Sequence, residues 1–499
     1  MTPTTALRPA AATAAVLPAP ARSTRRPPGF TTLFVADMWE RFSFFGMLAV
    51  LFLFASAPAA DGGLGLSDGD AGLLYGIYLA AVFLASVPGG RLGDQVLGSY
   101  RATLCGGVLI ACGHLVLAVP AVPTVYAGLL LVAVGTGLFK PNLAALLGAC
   151  YPRGATAERD AGFAVFYMSI QVSSFLAPLV VGAVGEGVDW HLGFAVAAIG
   201  MAFGLWRLVR GAAALGTVGQ RPERPAAPAE VRRALRRAAA AATAVVLLFT
   251  ADALAGTFAL RHVMGLVALL SVLVPIVTFR RLLRDPAVTD RERTGLRAYV
   301  WLFLAAAVFW GLYVQGGSLF VAFARDAADR SVLGRTVPAS WFQAAAPLFV
   351  LLVVPGFAWL WARQGERLGA AVKFAAGTVL VGAGLLVMAA AAWAAQGGGR
   401  VSALWLVAAY LLTGAGEAAF APVSLSVTTV VAPPALLGRL VGVLWLSAAL
   451  GAGVGGSVLK AAGGGVPGPG VFLALGAAAL LTGAALWLAR RPLTRRLGR

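Results

Sequence analysis

The sequence predicts an all-α membrane protein of fourteen spanning helices, built as two six-helix bundles with an extra helix pair inserted between them. Composition, the train of apolar runs and the placement of basic residues lead to that class. Of 499 residues, 60% are hydrophobic and 12% charged, and the mean hydropathy is +0.85. A soluble chain carries about 25% charged residues, and a disordered one combines low hydrophobicity with high charge, so the composition argues against both. The net charge of +19 invites a nucleic-acid reading, yet the basic residues fall in short clusters between apolar runs instead of on one arm or face. Only Lys140, Lys373 and Lys460 are lysines, so the arginine surplus is first a compositional bias. Cys105, Cys112 and Cys150, and His114, His191 and His262, form neither a paired framework nor a zinc pattern. No metal is expected.

Residues 1–28, rich in Ala, Thr, Pro and Arg, read as a disordered cytoplasmic tail. The apolar stretch at 14–17 is too short for a signal-peptide core and precedes Arg22, Arg25 and Arg26. Apolar runs follow at 30–57, 68–92, 102–120, 123–150, 160–185, 190–213, 238–257, 262–279, 298–324, 338–362, 368–396, 401–430, 435–461 and 467–489. A bilayer core takes about 20 residues of helix, so each run is read as one crossing. Placing the N-terminus inside puts 31 of the 39 basic residues on the inner side and 6 on the outer; Arg41 and Lys140 remain within runs. That asymmetry predicts an even number of crossings and both termini in the cytoplasm. The longest polar breaks, 214–236 and 280–297, flank the seventh and eighth runs. The chain therefore divides into a tail (1–28), a first bundle (29–213), a linker with an inserted pair (214–297), a second bundle (298–490) and a short cytoplasmic tail (491–499). Six plus six is the layout of transporters built from two helical bundles.

A charge at bilayer depth costs roughly 2.5–3.5 kcal/mol on insertion scales and usually faces a working cavity. The first run carries Asp37, Glu40 and Arg41 on one helix face, with Phe44, Phe45 and Leu48 continuing the stripe. Two acids this close do not both ionise easily, and Arg41 can neutralise one, which makes a proton-binding cluster. Lys140 is followed by Pro141-Asn142; proline breaks the backbone ladder, so Lys140 is expected at an aqueous cavity. Glu417 is the acid of its run, between Gly414, Gly416 and Pro422. Gln315-Gly316-Gly317-Ser318 predicts a loosened helix with a polar lining, and Asp252 a boundary residue of the inserted pair. Trp190 and His191 are expected to start the sixth helix at the interface. Cations from the first half (Arg41, Lys140) and an acid from the second (Glu417) suit a zwitterion with separated ends, such as a short peptide.

Those strings also resemble the proton-dependent oligopeptide transporter (POT) family of the major facilitator superfamily, from about residue 30 to 490. Asp37-Met38-Trp39-Glu40-Arg41-Phe42-Ser43-Phe44-Phe45-Gly46 is similar to the family pattern E-x-x-E-R-F-x-Y-Y-G. Gly89-Gly90-Arg91-Leu92-Gly93-Asp94-Gln95 through Gly98, with Arg101 beyond it, resembles the superfamily loop motif. Gly135 to Asn142, Asp160 to Gln171, Trp341-Phe342-Gln343 and Gly416-Glu417 through Pro422-Val423 resemble further family strings. The resemblance implies proton coupling at Asp37, Glu40 and Glu417, a peptide carboxylate at Arg41 and Lys140, and a peptide amine at Glu417. It further implies a substrate site with Phe44, Phe45, Phe83, Gln171, Gln315, Trp341 and Trp445, and gating elements at Gly89, Gly90, Asp94, Arg101, Leu48 and Val314.

Several positions depart from the family pattern. Phe44, Phe45 and Phe83 replace tyrosines and keep only the ring, Gln171 and Ala346 stand for asparagines, and Leu48 and Val314 replace a gate ion pair. Loss of both partners strands no buried charge, so the outer gate is expected to close by apolar packing. The expected activity is a proton-coupled symporter importing di- or tripeptides or peptide-like compounds across the bacterial inner membrane. It would be driven by the proton gradient, without a cofactor, as a multi-pass monomer that binds no nucleic acid. A proton-coupled exporter of amphipathic drugs or modified peptides on the same fold is the alternative that the apolar pocket suggests. The sequence shows no nucleophile-base pair or metal set for an enzyme.

Overall fold

The computed structural model describes residues 26–152, 156–222, 225–286, 288–332, 334–364, 369–432, 436–463, 465 and 467–497. Most of the expected N-terminal tail (1–28) lies outside the described residues. Fourteen helices among them are long and apolar enough to cross a membrane. The first half contains α1 (Phe30–Ser56), α2 (Asp68–Leu92), α3 (Ser99–Leu117), α4 (Val122–Ala149), α5 (Thr156–Gly187) and α6 (Trp190–Arg210). The inserted pair is α7 (Pro228–Leu254) and α8 (Leu260–Leu283). The second half contains α9 (Asp290–Tyr313), α10 (Ala345–Gln364), α11 (Ala370–Ala394), α12 (Leu404–Val431), α13 (Leu437–Gly455) and α14 (Pro469–Leu488).

Local chemistry sets the helix ends. Ser67 accepts the Asp70 N–H at the start of α2, and Asp189 accepts the Leu192 N–H at the start of α6. Thr289 and Glu292 form a reciprocal capping box on α9. Proline fills the opening turn of α7 and α14. The Gln315-Gly316-Gly317-Ser318 string loosens the ninth helix as expected: α9 stops at Tyr313, a 3-10 turn covers Val314–Gly317, and helix resumes over Leu319–Asp326. Two short strand pairings lie in loops, Ala328–Asp329 with Val401–Ser402 and Ser331–Val332 with Arg335–Thr336. The expected C-terminal tail is helical over Arg490–Arg496.

In the first half α1 packs on α2, α5 and α6, and α4 on α2 and α3. In the second, α11 packs on α12 and α14, α9 on α13, and α10 on α12. The halves meet where α2 lies along α13 and α5 along α10. The α2–α13 approach needs glycine: a Cβ on Gly76 would sit 2.5 Å from the Gly456 Cα. Small residues let membrane helices come this close.

Polar contacts between the halves gather at the end opposite the two termini. Arg325 donates to both Asp68 oxygens (3.0 and 2.9 Å) and to Ser56 Oγ (2.7 Å). Lys460 Nζ donates to Asp70 (2.7 Å). Glu186 on α5 accepts from the Ala339 and Ser340 N–H groups (2.8 Å each) and from the Ser340 hydroxyl. Gln343 donates to the Ala49 carbonyl (2.9 Å), and the Trp341 indole to the Leu179 carbonyl (3.0 Å). This latch closes one end of the molecule. Beside it lies an open cavity of about 550 Å³, lined in part by Asp68, Glu186, Trp190 and Arg325.

Candidate functional site

The charges of α1 are buried together, well below the latch. Arg41 Nε lies 3.4 Å from Asp37 Oδ1, and Nη2 lies 2.7 Å from Glu40 Oε2. The i,i+4 spacing sets Asp37 beside the guanidinium, and the long Arg41 side chain also reaches its chain neighbour Glu40. The Ser169 hydroxyl on α5 donates to Asp37 Oδ2 at 2.6 Å. Glu40 is fully buried, and neither of its oxygens has an aligned hydrogen-bond donor. Among the described residues its one ion pair is with the Arg41 guanidinium, which leaves lone pairs open to a proton.

Lys140 on α4 is half-buried and stands within electrostatic reach of Arg41, Glu40 and Asp37. Its ammonium lies 4.6 Å from the centre of the Phe44 ring and 5.3 Å from that of Phe83. A cation is attracted to the negative face of such rings. Phe44 packs edge-on against Phe45, at 5.3 Å. Phe83 on α2 stacks on Trp445 of α13, with centres 5.8 Å apart and planes 4° from parallel. The rings that replace hydroxyl-bearing residues thus hold Lys140 by their faces, and one of them bridges the two halves.

Glu417 on α12 belongs to a second group. The Tyr313 hydroxyl donates to Glu417 Oε2 at 2.5 Å. Tyr167 on α5 lies within electrostatic reach of the same carboxylate, and Gln171 donates to the Tyr167 hydroxyl at 2.8 Å. Among the described residues no ion pair joins Glu417 to Arg41 or Lys140. The cations and the acid expected to face one another across the halves thus form two separate groups, with Tyr167 and Gln171 of α5 standing on the Glu417 side and the Phe83–Trp445 stack bridging the halves on the Lys140 side.

Some expectations need correction. Gln315 does not line the site: it is buried, and its amide donates to the Gly311 and Gly455 carbonyls (2.8 and 3.0 Å), filling acceptors the 3-10 turn leaves open. Trp341 belongs to the latch. Leu48 and Val314 are buried as expected, but closure is not simply apolar, because the ionic latch lies beyond them. The sequence reading counted Arg325 and Lys460 as loop charges and left Asp68, Asp70 and Glu186 unassigned. Lys140 meets the aromatic faces of Phe44 and Phe83 and stays half-buried. Asp252 is a local anchor, accepting from Thr257 Oγ1 and paired with His262 Nδ1, each at 2.6 Å. Tyr313, Tyr167 and Ser169 join the site without standing out in the sequence, although Tyr167 and Ser169 lie in the family-like stretch from Asp160 to Gln171.

The loop motif works from outside the site. The Asn142 amide donates to the Gly89 carbonyl at 2.9 Å and to the Leu138 carbonyl at 2.7 Å, tying the end of α2 to α4 two residues from Lys140. Gly90 faces Pro141. Asp94 and Arg101 are exposed, and the turn between them packs on the post-α6 segment through Tyr100 N–H to the Gly219 carbonyl (3.0 Å). Among the described residues no three His, Cys, Asp or Glu side chains are grouped to hold a metal.

Comparison with known proteins fits this arrangement. A family model described as the POT family matches residues 100–463. The chain is 35% identical to a di-/tripeptide transporter of Lactococcus lactis subsp. cremoris over 432 residues, covering 85% of this chain and 87% of the relative. It is 35% identical to a peptide transporter of Yersinia enterocolitica subsp. palearctica over 450 residues, covering 86% and 87%. Among solved structures, the crystal structure of a POT peptide transporter with sulfate superposes with a TM-score of 0.89 at 35% identity, covering 94% of this chain and 96% of that one. A POT family transporter crystallised with 5-aminolevulinic acid superposes with a TM-score of 0.89 at 28% identity, covering 95% and 97%.

Proposed function

Because this chain belongs to the POT family, a family of membrane transporters with two six-helix bundles, we propose that it is a proton-coupled symporter. It imports di- and tripeptides or peptide-like compounds across the bacterial inner membrane, as a monomer with both termini cytoplasmic. The observation that carries this reading is the distribution of charge over two half-sites. Arg41 and Lys140 supply cations on the first half, and Glu417 supplies a carboxylate on the second. A zwitterion bridging them puts its carboxylate on the first half and its amine on the second, and so draws the bundles together. Phe44, Phe45, Phe83 and Trp445 form the apolar walls for side chains.

Protons enter the cycle at the carboxylates. Asp37 and Glu40 share Arg41, and Glu40 has open lone pairs. A proton on either acid frees the guanidinium for a substrate carboxylate, which couples the two ligands through one group. Glu417 is held by Tyr313 until an ammonium or a proton takes that place. Gln171 acts on the site by positioning Tyr167. With the termini in the cytoplasm, the closed latch faces outward, which supports reading this conformation as the inward state of an alternating-access cycle. Leu48 and Val314 close the path beneath it.

Uptake of a labelled dipeptide into proteoliposomes tests the reading. An acid-outside gradient is expected to drive accumulation that a protonophore abolishes. Equal uptake with and without the gradient would overturn it. None of the observations favours the exporter direction.

A further inference from the structure

The inserted pair takes no part in the site, and its surface is of two kinds. No residue of α7 is buried. Its second half is exposed hydrocarbon, with Val246, Leu247, Leu248 and Leu254 all more than half exposed. Its first turns carry Arg232, Arg233, Arg236 and Arg237, all exposed. α8, by contrast, packs against α2 and α13. It ends with Arg280, Arg281 and Arg284, again exposed. The pair is antiparallel, so these two arginine groups share one end.

Helical rise fixes the depth. Arg236 is 18 residues from Leu254 and Arg280 is 20 residues from Leu260, which at 1.5 Å per residue gives about 27 and about 30 Å. A bilayer's hydrocarbon core is about 30 Å thick. With the α7–α8 turn at one interface, both groups reach headgroup level at the other. α6 starts with Trp190 beside the latch cavity, so the arginine end of α7 is the end away from the latch.

Most acids near these arginines are engaged elsewhere; Glu230, in the first turn of α7, is exposed and forms no ion pair with them. Asp285 binds Arg439 (3.0 Å), Asp290 binds Arg293 (2.7 Å), and Glu292 serves the α9 cap. No described carboxylate forms an ion pair with the arginines of the α7 start or the α8 end. Several unpaired guanidiniums at headgroup depth, above a bare apolar helix, complement a ligand with a phosphate head and hydrocarbon tails. Guanidinium binds phosphate through two parallel hydrogen bonds, and basic clusters next to membrane spans attract anionic lipid by about 1 kcal/mol per residue.

We propose that the arginine end of the inserted pair is a binding surface for anionic phospholipid, with the headgroup on the α7 and α8 arginines and the acyl chains along α7. The lipid fills the side of the molecule that the two bundles leave uncovered and holds α7 in place.

Native mass spectrometry of the full-length, delipidated protein tests this, with dioleoyl phosphatidylglycerol and dioleoyl phosphatidylcholine titrated separately. Wild-type protein is expected to bind the glycerol lipid at least tenfold tighter. The R232Q/R233Q/R236Q/R237Q variant is expected to bring the two within about twofold. High salt is expected to do the same to the wild type, since exposed charges are screened. Equal affinity for both lipids in the wild type, or an unchanged preference in the variant, would overturn the proposal. So would displacement by millimolar inorganic phosphate, which would make free phosphate the ligand. A protein dimer lost in the variant would overturn it in favour of a second copy of the chain. Should that variant misfold, the R280Q/R281Q/R284Q variant and the salt titration of the wild type decide by the same criteria.

Discussion

At the scale of single residues, the site is a set of buried charges whose partners decide what each can do. Arg41 serves two acids and Lys140 rests on two rings. Arg41→Ala leaves Asp37 and Glu40 buried without their cation, a change of about 3–5 kcal/mol when one member of such a group is removed. We expect dipeptide uptake to fall by about a hundredfold or more while the purified variant still elutes as a folded protein; wild-type uptake would contradict the role. Tyr313→Phe removes the hydrogen bond to Glu417 and is expected to lower stability by about 1.5–3 kcal/mol, the range for bonds to charged groups. In the Glu417→Gln background the cost is expected to shrink by half or more. Thermal melts of the four proteins check this, and additive costs would contradict the pairing. The charged members of the site were legible because charges stand out against an apolar run. Tyr313 was not, because a tyrosine in a membrane helix carries no such contrast and its role depends on a partner 104 positions away. Gln315 misled for the same reason: an amide reads as a lining group, and only the three-dimensional path of the 3-10 turn shows the carbonyls it fills.

Helices and the contacts between them are the next scale. Hydropathy placed all fourteen crossings, since lipid demands a long apolar helix with its backbone satisfied internally. It missed how far helices continue into water: α7 starts at Pro228, ten residues before its apolar run, because arginine and alanine are good helix formers. The latch was invisible, because it pairs residues of separate loops and helix ends. Its ion pairs are unequal. Arg325 and Asp68 are mostly buried, at 28% and 13% side-chain exposure, whereas Lys460 and Asp70 are at 46% and 40%. Exposed pairs contribute about 0–1 kcal/mol. Arg325→Ala is therefore expected to loosen the closed end and Lys460→Ala to leave it nearly unchanged. A cysteine placed at Val314, beneath the latch, reports the difference through labelling by a membrane-impermeant maleimide. Labelling several times faster in Arg325→Ala alone is the expected result; equal rates in all three proteins would contradict it. The paired loss of charge at Leu48 and Val314 gives a related expectation. Leu48→Arg with Val314→Glu should express better than either single change, because each single change buries an unpaired charge. Equal expression of all three would contradict the paired loss.

For the whole molecule, the proposed mechanism requires that one substrate hold both halves. The sequence supplied the members of that contact and the half each belongs to, but not the groups that stand between them. The structure keeps them apart, with Glu417 on Tyr313 and the cations on α1 and α4, while the latch end is closed. Charges on opposite halves then meet only through what lies between them. In the proposed mechanism a zwitterion lies between, and its two ends are tested separately by blocking each. Binding of a free dipeptide, its N-acetyl form and its C-terminal amide to the wild type and to Glu417→Gln, measured by calorimetry, is the most direct measurement. The account predicts that Glu417→Gln weakens the free dipeptide and the amide by about tenfold, about 1.4 kcal/mol, and leaves the N-acetyl form unchanged. Equal weakening of all three ligands, or wild-type protein that binds the acetylated and free peptides alike, would contradict it.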